Sequence, residues 1–526
     1  MTLPSNRLLL SSPTRPGRVC AIAVFASLLI AFLIPALPAL AQDEHLSRVN
    51  SAYADIAPGK RTDLVLLPLL AKMDAPPRAV ATPDQAAMLP ANAAGWVEAV
   101  AWVQRDNQKA VLAALSQVTK ETDWRVSHAF GQGYGTQGVP VDLIRARLYT
   151  ELGDPPTLAA AVHLYLPALD RMACLVHVES TRLANEGKPS DAIDALVGLI
   201  FFGRQMCDRV FSAEVGWGLT TISAAQLRVR DVAFADSRGT RACDTSRLLA
   251  QIKVLDEDEG YLDFKRMRFP LGEQMAVDQI LRRVYTGDTV DDATFAPTMS
   301  RLGSTQHPLR LFSETAQWRL MAGGQAPVAD ARDRRTAIFG DWEQRWSLAW
   351  IDKKMNEPSE FGKLDQARYA AIAQSTGNID TLFAQRQVAR VECVGTRHAL
   401  ALLGYWYTNK VFPPTITSIR PAWLVRLSAD PFNPNRDRGR EPPLEYFVPM
   451  RDDPSPHEMN VVTTQNFTLT LRNDVFVLYS CGSDYARNFA RRVENTASKV
   501  EGADYLLWPP MLSLYRQHLI DTGSLK

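Results

Sequence analysis

The sequence predicts a mainly α-helical chain, a bundle of helical hairpins, with a small α+β domain near the C-terminus in which one helix lies on an antiparallel sheet. Three observations predict it. Apolar or small residues recur at three- and four-residue steps through residues 141–235 and again through 388–407, laying a stripe along one helix face. A proline-punctuated stretch then forbids helix. Finally, three short runs at 444–448, 467–471 and 475–479 are rich in aromatic and β-branched residues, the composition of strands.

Residues 1–41 read as a signal peptide. Arg7, Arg15 and Arg18 give a basic start, an apolar run begins at Cys20, and Ala39-Leu40-Ala41 before Gln42 is a small-x-small cleavage signal. The apolar run is shorter than the roughly 20 residues a spanning helix needs, so membrane contact is expected only if the leader stays uncleaved. The leader's three arginines, with no acid, take the formal charge from +1 for the whole chain to −2 for the mature one. Cations are not clustered, which argues against nucleic acid as a partner. Arg332, Arg334 and Arg335, the run from Arg436 to Arg440, and Asp256-Glu-Asp-Glu259 are read as solvated charge. Export with five remaining cysteines, Cys174, Cys207, Cys243, Cys393 and Cys481, leaves at least one thiol unpaired. Spacing leaves open a bond between Cys174 and Cys207, one between Cys393 and Cys481, and free buried thiols throughout.

The expected domains are residues 42–140, irregular and helical; 141–385, helical; and 386–526, the α+β unit with a C-terminal helical extension. Within the first, Asp63-Leu-Val-Leu-Leu-Pro-Leu-Leu70 is a short apolar core element and residues 97–118 are helical. Gly131-Gln-Gly-Tyr-Gly-Thr-Gln-Gly138 is expected to be a mobile loop, since no Lys-Ser/Thr follows to cradle phosphate. In the second, Gly187-Lys188-Pro189 turns one helix back on another, with Ser190 placed to cap the second. The leading helix of that pair resembles one tetratricopeptide-type hairpin at Leu183-Ala184-Asn-Glu-Gly187, with no second copy. Gly287 is expected to close a helix, and residues 291–308 to form a polar linker. Trp342, Trp346 and Trp350 fall on one helix face, a core stripe or, for a sugar- or lipid-binding protein, an aromatic platform.

In the last domain Phe412-Pro413, Asp430-Pro431-Phe432, Leu444-Glu445-Tyr446 and Phe476-Val-Leu-Tyr-Ser-Cys-Gly-Ser-Asp484 occur in an order that resembles the globular domain of type II secretion major pseudopilins. The resemblance implies an assembly or interaction role with a protein partner. It also implies a calcium site in the loop after Leu-Tyr-Ser, where Asp484 matches the first acidic position. No other cofactor is expected.

Catalytic motifs with fixed local spacing are absent. His163, Asp170 and His177 share a face only if one helix runs through all three, and the two histidines are then about 21 Å apart, too far for one metal. His398 sits inside the stripe helix as a structural residue, and Glu257 and Glu259 lack apolar surroundings to raise a pKa. No catalytic residue is assigned. The sequence therefore favours an exported, non-enzymatic interaction protein of the bacterial envelope over a periplasmic hydrolase whose site is assembled from distant residues.

Overall fold

The computed structural model describes residues 44–304, 311–435, 442–495 and 501–525. The expected signal peptide, the end of the expected linker, and the arginine-rich run with its Asp437-Arg-Gly439 turn lie outside them. The protein is mainly helical. Helices α1 (Leu166–Asn185) and α2 (Pro189–Met206) form the expected hairpin, turned by Gly187 at φ +75°, a conformation glycine adopts without Cβ strain. Pro167 lies in the first turn of α1, where no N–H partner is needed, so no helix runs back through His163. Ser190 is not a cap: its hydroxyl accepts from the Asp244 N–H at 3.0 Å and so ties α2 to the next element.

Helix α3 (Ser212–Arg238) packs along α2 at a glycine crossing. A Cβ on Gly218 would lie 2.5 Å from the Gly203 carbonyl oxygen and 2.9 Å from Cys207 Sγ, so only glycine permits this approach. Helix α4 (Thr245–Val254) begins at Asp244, whose carboxylate accepts from the Arg247 N–H. The acidic run after α4 is solvated only at Glu259. Glu257 is buried and meets Arg397 at 2.8 Å, and Asp256 meets the same guanidinium at 2.7 Å. Helix α5 (Gly272–Val284) is followed by a two-residue ladder in which Gly287 turns the chain, so this glycine closes a hairpin and not a helix. The expected linker is largely the helix Asp292–Ser304. Helix α6 (Val328–Ser347) carries Trp342 and Trp346 but ends before Trp350, and α7 (Asp380–Asn409) contains the predicted stripe and ends where Lys410 turns left-handed at φ +61°.

The C-terminal sheet corrects the prediction. It has six strands: β1 (Glu445–Phe447), β2 (His457–Val461), β3 (Phe467–Leu471), β4 (Val477–Ser480), β5 (Arg492–Glu494) and β6 (Asp504–Trp508), in the order β1-β4-β6-β5-β2-β3. The pairs β1/β4, β4/β6 and β2/β3 are antiparallel, but β5 runs parallel to both β6 and β2, so the sheet is mixed. The segments at 444 and 475 do pair. The segment at 467 pairs instead with His457–Val461, at the far edge, so Arg472-Asn473-Asp474 leads the chain across the sheet and makes no hairpin. Two features hid this: β5 is only three residues long, and β6 is buried at every position and so shows no alternation.

Helix α7 packs on β4 and β6 so closely that a Cβ on Gly395 would come 2.3 Å from Leu507 Cδ2. Helix α8 (Met511–Asp521) returns to α3. One apolar cluster runs unbroken from Leu66 to Met511. Among the described residues, no helix is long and apolar enough to cross a membrane.

The glycine crossing is testable. Gly218→Ala drives a methyl into a backbone carbonyl and should lower stability by about 1–3 kcal/mol. Gly340→Ala on α6, where a Cβ meets nothing within 4 Å, should be neutral or stabilising by up to about 1 kcal/mol. Urea midpoints of the two variants check this; equal midpoints would remove the crossing from the account.

Candidate functional site

A cleft of about 700 Å³ opens between the starts of α1, α3 and α7, with α5 and the turn after the Ala370–Ser375 helix closing it. His163 reaches its wall from a two-residue ladder whose register sets Thr150 opposite His163, and Thr150 Oγ1 lies 3.1 Å from Nδ1. Behind the ring, at 3.8 Å from Nδ1, is a carboxylate oxygen of Glu214.

Glu214 is fully buried in the first turn of α3. Its carboxylate accepts from Arg209 Nε at 2.7 Å, from the Tyr134 hydroxyl at 2.7 Å and from the Tyr165 hydroxyl. The Arg209 guanidinium in turn lies over the rings of Tyr53 and Tyr134, 4.1 and 4.6 Å from their centroids. Burial pushes the Glu214 pKa up, but Arg209, His163 and the two hydroxyls outweigh it and hold the carboxyl below its ordinary range. Tyr134 comes from the glycine-rich stretch expected to be mobile. That stretch is packed, with Gln132 and Tyr134 buried and the Gly131 N–H bonded to Asp63 at 2.8 Å. His163 itself is held neutral, its pKa lowered by burial, with Glu214 opposing and Arg209 adding to the effect.

Across the cleft stands a second kind of carboxylate. Glu273, near the start of α5, is 5% exposed, and its Oε1 accepts from the Ser212 N–H at 2.7 Å. Among the described residues, no cation pairs with it. Burial raises its pKa to about 7, against the bonds from Ser212, and Glu214 adds to the rise. Gly377 presses on the pair: a Cβ there would lie 2.6 Å from Ser212 Oγ and 3.0 Å from Glu273 Oε1. Asp170 is half-buried and accepts from Trp217 Nε1 at 2.8 Å, and burial raises its pKa too.

Three buried polar atoms in this lining make no hydrogen bond among the described residues: Glu273 Oε2, Ser375 Oγ and Gln385 Oε1. Such groups cost about 1–3 kcal/mol each when left unpaired, so their convergence on one cavity marks a place made for a polar occupant. Among the described residues, no lysine or arginine lines the cleft, while Phe211, Trp217, Leu158 and Leu382 give it apolar walls.

The other residues singled out in the sequence sit elsewhere. His163 and Asp170 share the cleft, but His177 is buried away from it, with a pKa pushed down to about 3 by burial and then by Arg228. His398 is buried with Nδ1 2.8 Å from the Val394 carbonyl, its pKa lowered to about 4 by burial. Trp342 and Trp346 are core residues, their indole N–H groups donating to Asp380 and to the Met267 carbonyl, which leaves no exposed sugar platform on α6. All five cysteines are free and buried, and burial pushes the Cys174 and Cys207 thiols up to about 12. Asp484 staples a loop: its two oxygens accept from the N–H groups of Ala486 at 2.9 Å and Gly502 at 2.7 Å. With both oxygens so occupied and no acid at positions 485–488, the donor set around Asp484 does not fit calcium. Among the described residues, no group of three or more His, Cys, Asp or Glu side chains is placed to hold a metal.

Glu214 and Glu273 escaped notice because each looks like an ordinary acid in a first helical turn. The available signal was the apolar company each keeps, Phe211-Ser-Ala-Glu-Val-Gly-Trp217 and Leu271-Gly-Glu-Gln-Met-Ala276.

The raised Glu273 pKa makes a stability prediction. The folded state binds this proton more tightly than the unfolded chain, so the contribution is fully present below about pH 4.5 and is lost as pH rises through about 7. The loss amounts to about 3 kcal/mol at most. Glu273→Gln, which mimics the protonated form, should therefore gain on the wild type progressively between pH 5 and 8 in thermal unfolding. Parallel curves would place the wild-type carboxyl at an ordinary pKa. Compared with protein-family models, with curated proteins and with solved structures, the chain has no match.

Proposed function

We propose that the protein is an exported binding protein for a small molecule that donates hydrogen bonds, a primary amine or a guanidine with an apolar flank. The observation that carries this reading is that the unpaired acceptors Glu273 Oε2 and Gln385 Oε1 and the Ser375 hydroxyl share one cleft whose described lining holds acids and neither lysine nor arginine. A cation there neutralises Glu273, and the apolar walls cover the rest of the molecule. An anion would meet two carboxylates and no counter-charge.

A second reading, turnover of the bound molecule by hydrolysis, is favoured by His163. A neutral imidazole, held at Nδ1 by Thr150 and backed by the Glu214 carboxylate, has the make-up of a general base, and Glu273 near neutrality that of a general acid. The interaction and assembly role implied by the C-terminal resemblance would use the outer strands β1 and β3 and the cavity beside Phe412, Phe476 and Trp508.

Four probes of one shape separate the classes: butylamine, butylguanidine, butanol and butyrate. The two cations should raise the melting temperature and bind by calorimetry. Their affinity should fall about tenfold per pH unit below about 7, because Glu273 must lose its proton to receive them. Glu273→Gln should abolish that pH dependence. Butyrate binding as tightly as butylamine, or cation affinity flat from pH 5 to 8, would overturn the proposal.

A further inference from the structure

A second cavity, of about 440 Å³, lies on the other side of α7, against the end of α6 and the turn at Phe264–Arg266. Its polarity is reversed. Lys265, Arg345, Arg386 and Arg390 line it, with Asp258 as the only acid among the described residues of that lining.

The cations are not equally engaged. Arg345 is matched by Asp341 at 2.8 Å and by the Lys354, Glu357 and Pro358 carbonyls. Lys265 and Arg390 both lie 3.4 Å from Asp258, so one carboxylate is shared by two cations of the lining, while Arg426, 3.9 Å from Asp258, lies closer to Glu259 at 3.3 Å. Arg386 has no carboxylate within 4.0 Å among the described residues; it donates only to the Trp346 and Phe264 carbonyls, at 2.6 and 2.9 Å, and its Nε is buried without a partner. Burial, with Arg390 nearby, lowers its pKa to about 10, yet it stays charged at neutral pH. The guanidinium lies 4.5 Å from the Trp346 ring centroid, and Trp350, Phe383 and Met355 complete an apolar floor.

Positive charge in excess of its partners, held beside aromatic surface in a cavity, is the chemistry of an anion site with room for a flat apolar group. We infer that this cleft binds an oxyanion, carboxylate or phosphate, carried on an aromatic ring. The oxyanion meets Arg386 and Lys265, and the ring lies against the Trp350 side of the floor. This site is separate from the amine cleft and does not depend on it.

Trp346 and Trp350 line the cavity, so intrinsic fluorescence reports its occupancy. The probes are phenyl phosphate and benzoate, with inorganic phosphate as the bare anion and benzyl alcohol as the uncharged ring. Phenyl phosphate or benzoate should shift the emission and bind at least about tenfold more tightly than either inorganic phosphate or benzyl alcohol. Lys265→Gln, at an exposed side chain, should weaken that binding about three- to tenfold, and added salt should weaken it further. Arg386→Gln should abolish it. Because that variant loses two bonds to main-chain carbonyls, its circular dichroism is checked first, and Lys265→Gln carries the test alone if the fold is lost. Glu273→Gln should leave the affinity unchanged. Neither aromatic anion binding, benzyl alcohol binding as tightly as the anions, or a Lys265→Gln variant with wild-type affinity would each overturn the inference.

Discussion

The architecture of the candidate site depends on one carboxylate that has no access to water. Glu214 gathers Arg209, Tyr134 and Tyr165 by hydrogen bonds and stands 3.8 Å behind His163, drawing on segments that lie up to 80 residues away in sequence. An ionised carboxylate at this depth is tolerated because three hydrogen bonds reach it and the guanidinium neutralises it. Removing one partner from such a pair costs about 3–5 kcal/mol, since the other charge is then stranded in low dielectric. The network lies directly behind the ring that faces the cleft, which Thr150 holds at Nδ1. Glu273 shows the opposite solution. It is as deeply buried, but with no cation beside it the proton takes the place of the counter-ion.

The same device holds the two halves of the chain together. Glu392 on α7 accepts from Arg230 on α3 and, at 2.7 Å, from the Tyr505 hydroxyl on β6, so one buried acid ties the helical body to the sheet. Asp231, one residue along α3, takes both arms of Arg516 at 2.9 Å, and Arg516 also donates to the carbonyls of Ala87 and Met88. The C-terminal helix is thereby bonded to a segment more than 400 residues earlier. Buried ion pairs of this kind add specificity of register more than net stability, since much of their attraction offsets desolvation. The apolar cluster that surrounds them supplies the greater part of the stabilisation.

What the sequence revealed was local, and what it concealed was pairing. The stripe from Val391 to Trp406 places α7, and the Gly187 turn places the α1/α2 hairpin, because each depends on periodicity or on one residue's allowed φ. The strand Phe467–Leu471 was legible residue for residue, yet its partner was not, because β-strand register depends on faces that only the folded chain defines. Glu257 looked solvated for the same reason: Arg397, which buries it, is 140 residues away. The site was hidden more completely. His163, Glu214, Glu273 and Gln385 sit on four elements with no fixed spacing, and the helix that would have carried His163 with Asp170 begins only at Leu166.

The two cavities are kept apart by the first turns of α7. Leu382 and Gln385 are three residues apart and share one face, turned to the acidic cleft; Phe383 and Arg386 are each one residue further on, about 100° around the helix, and face the basic one. A single-residue step therefore separates an acceptor-rich surface from a cationic one. Gly216 is part of the same arrangement, because a Cβ there would come 3.1 Å from Gln385 Oε1 and push that side chain out of the lining. Helix geometry at this point does what no local motif does: it lets one stretch of chain present opposite electrostatics to two cavities a helix diameter apart.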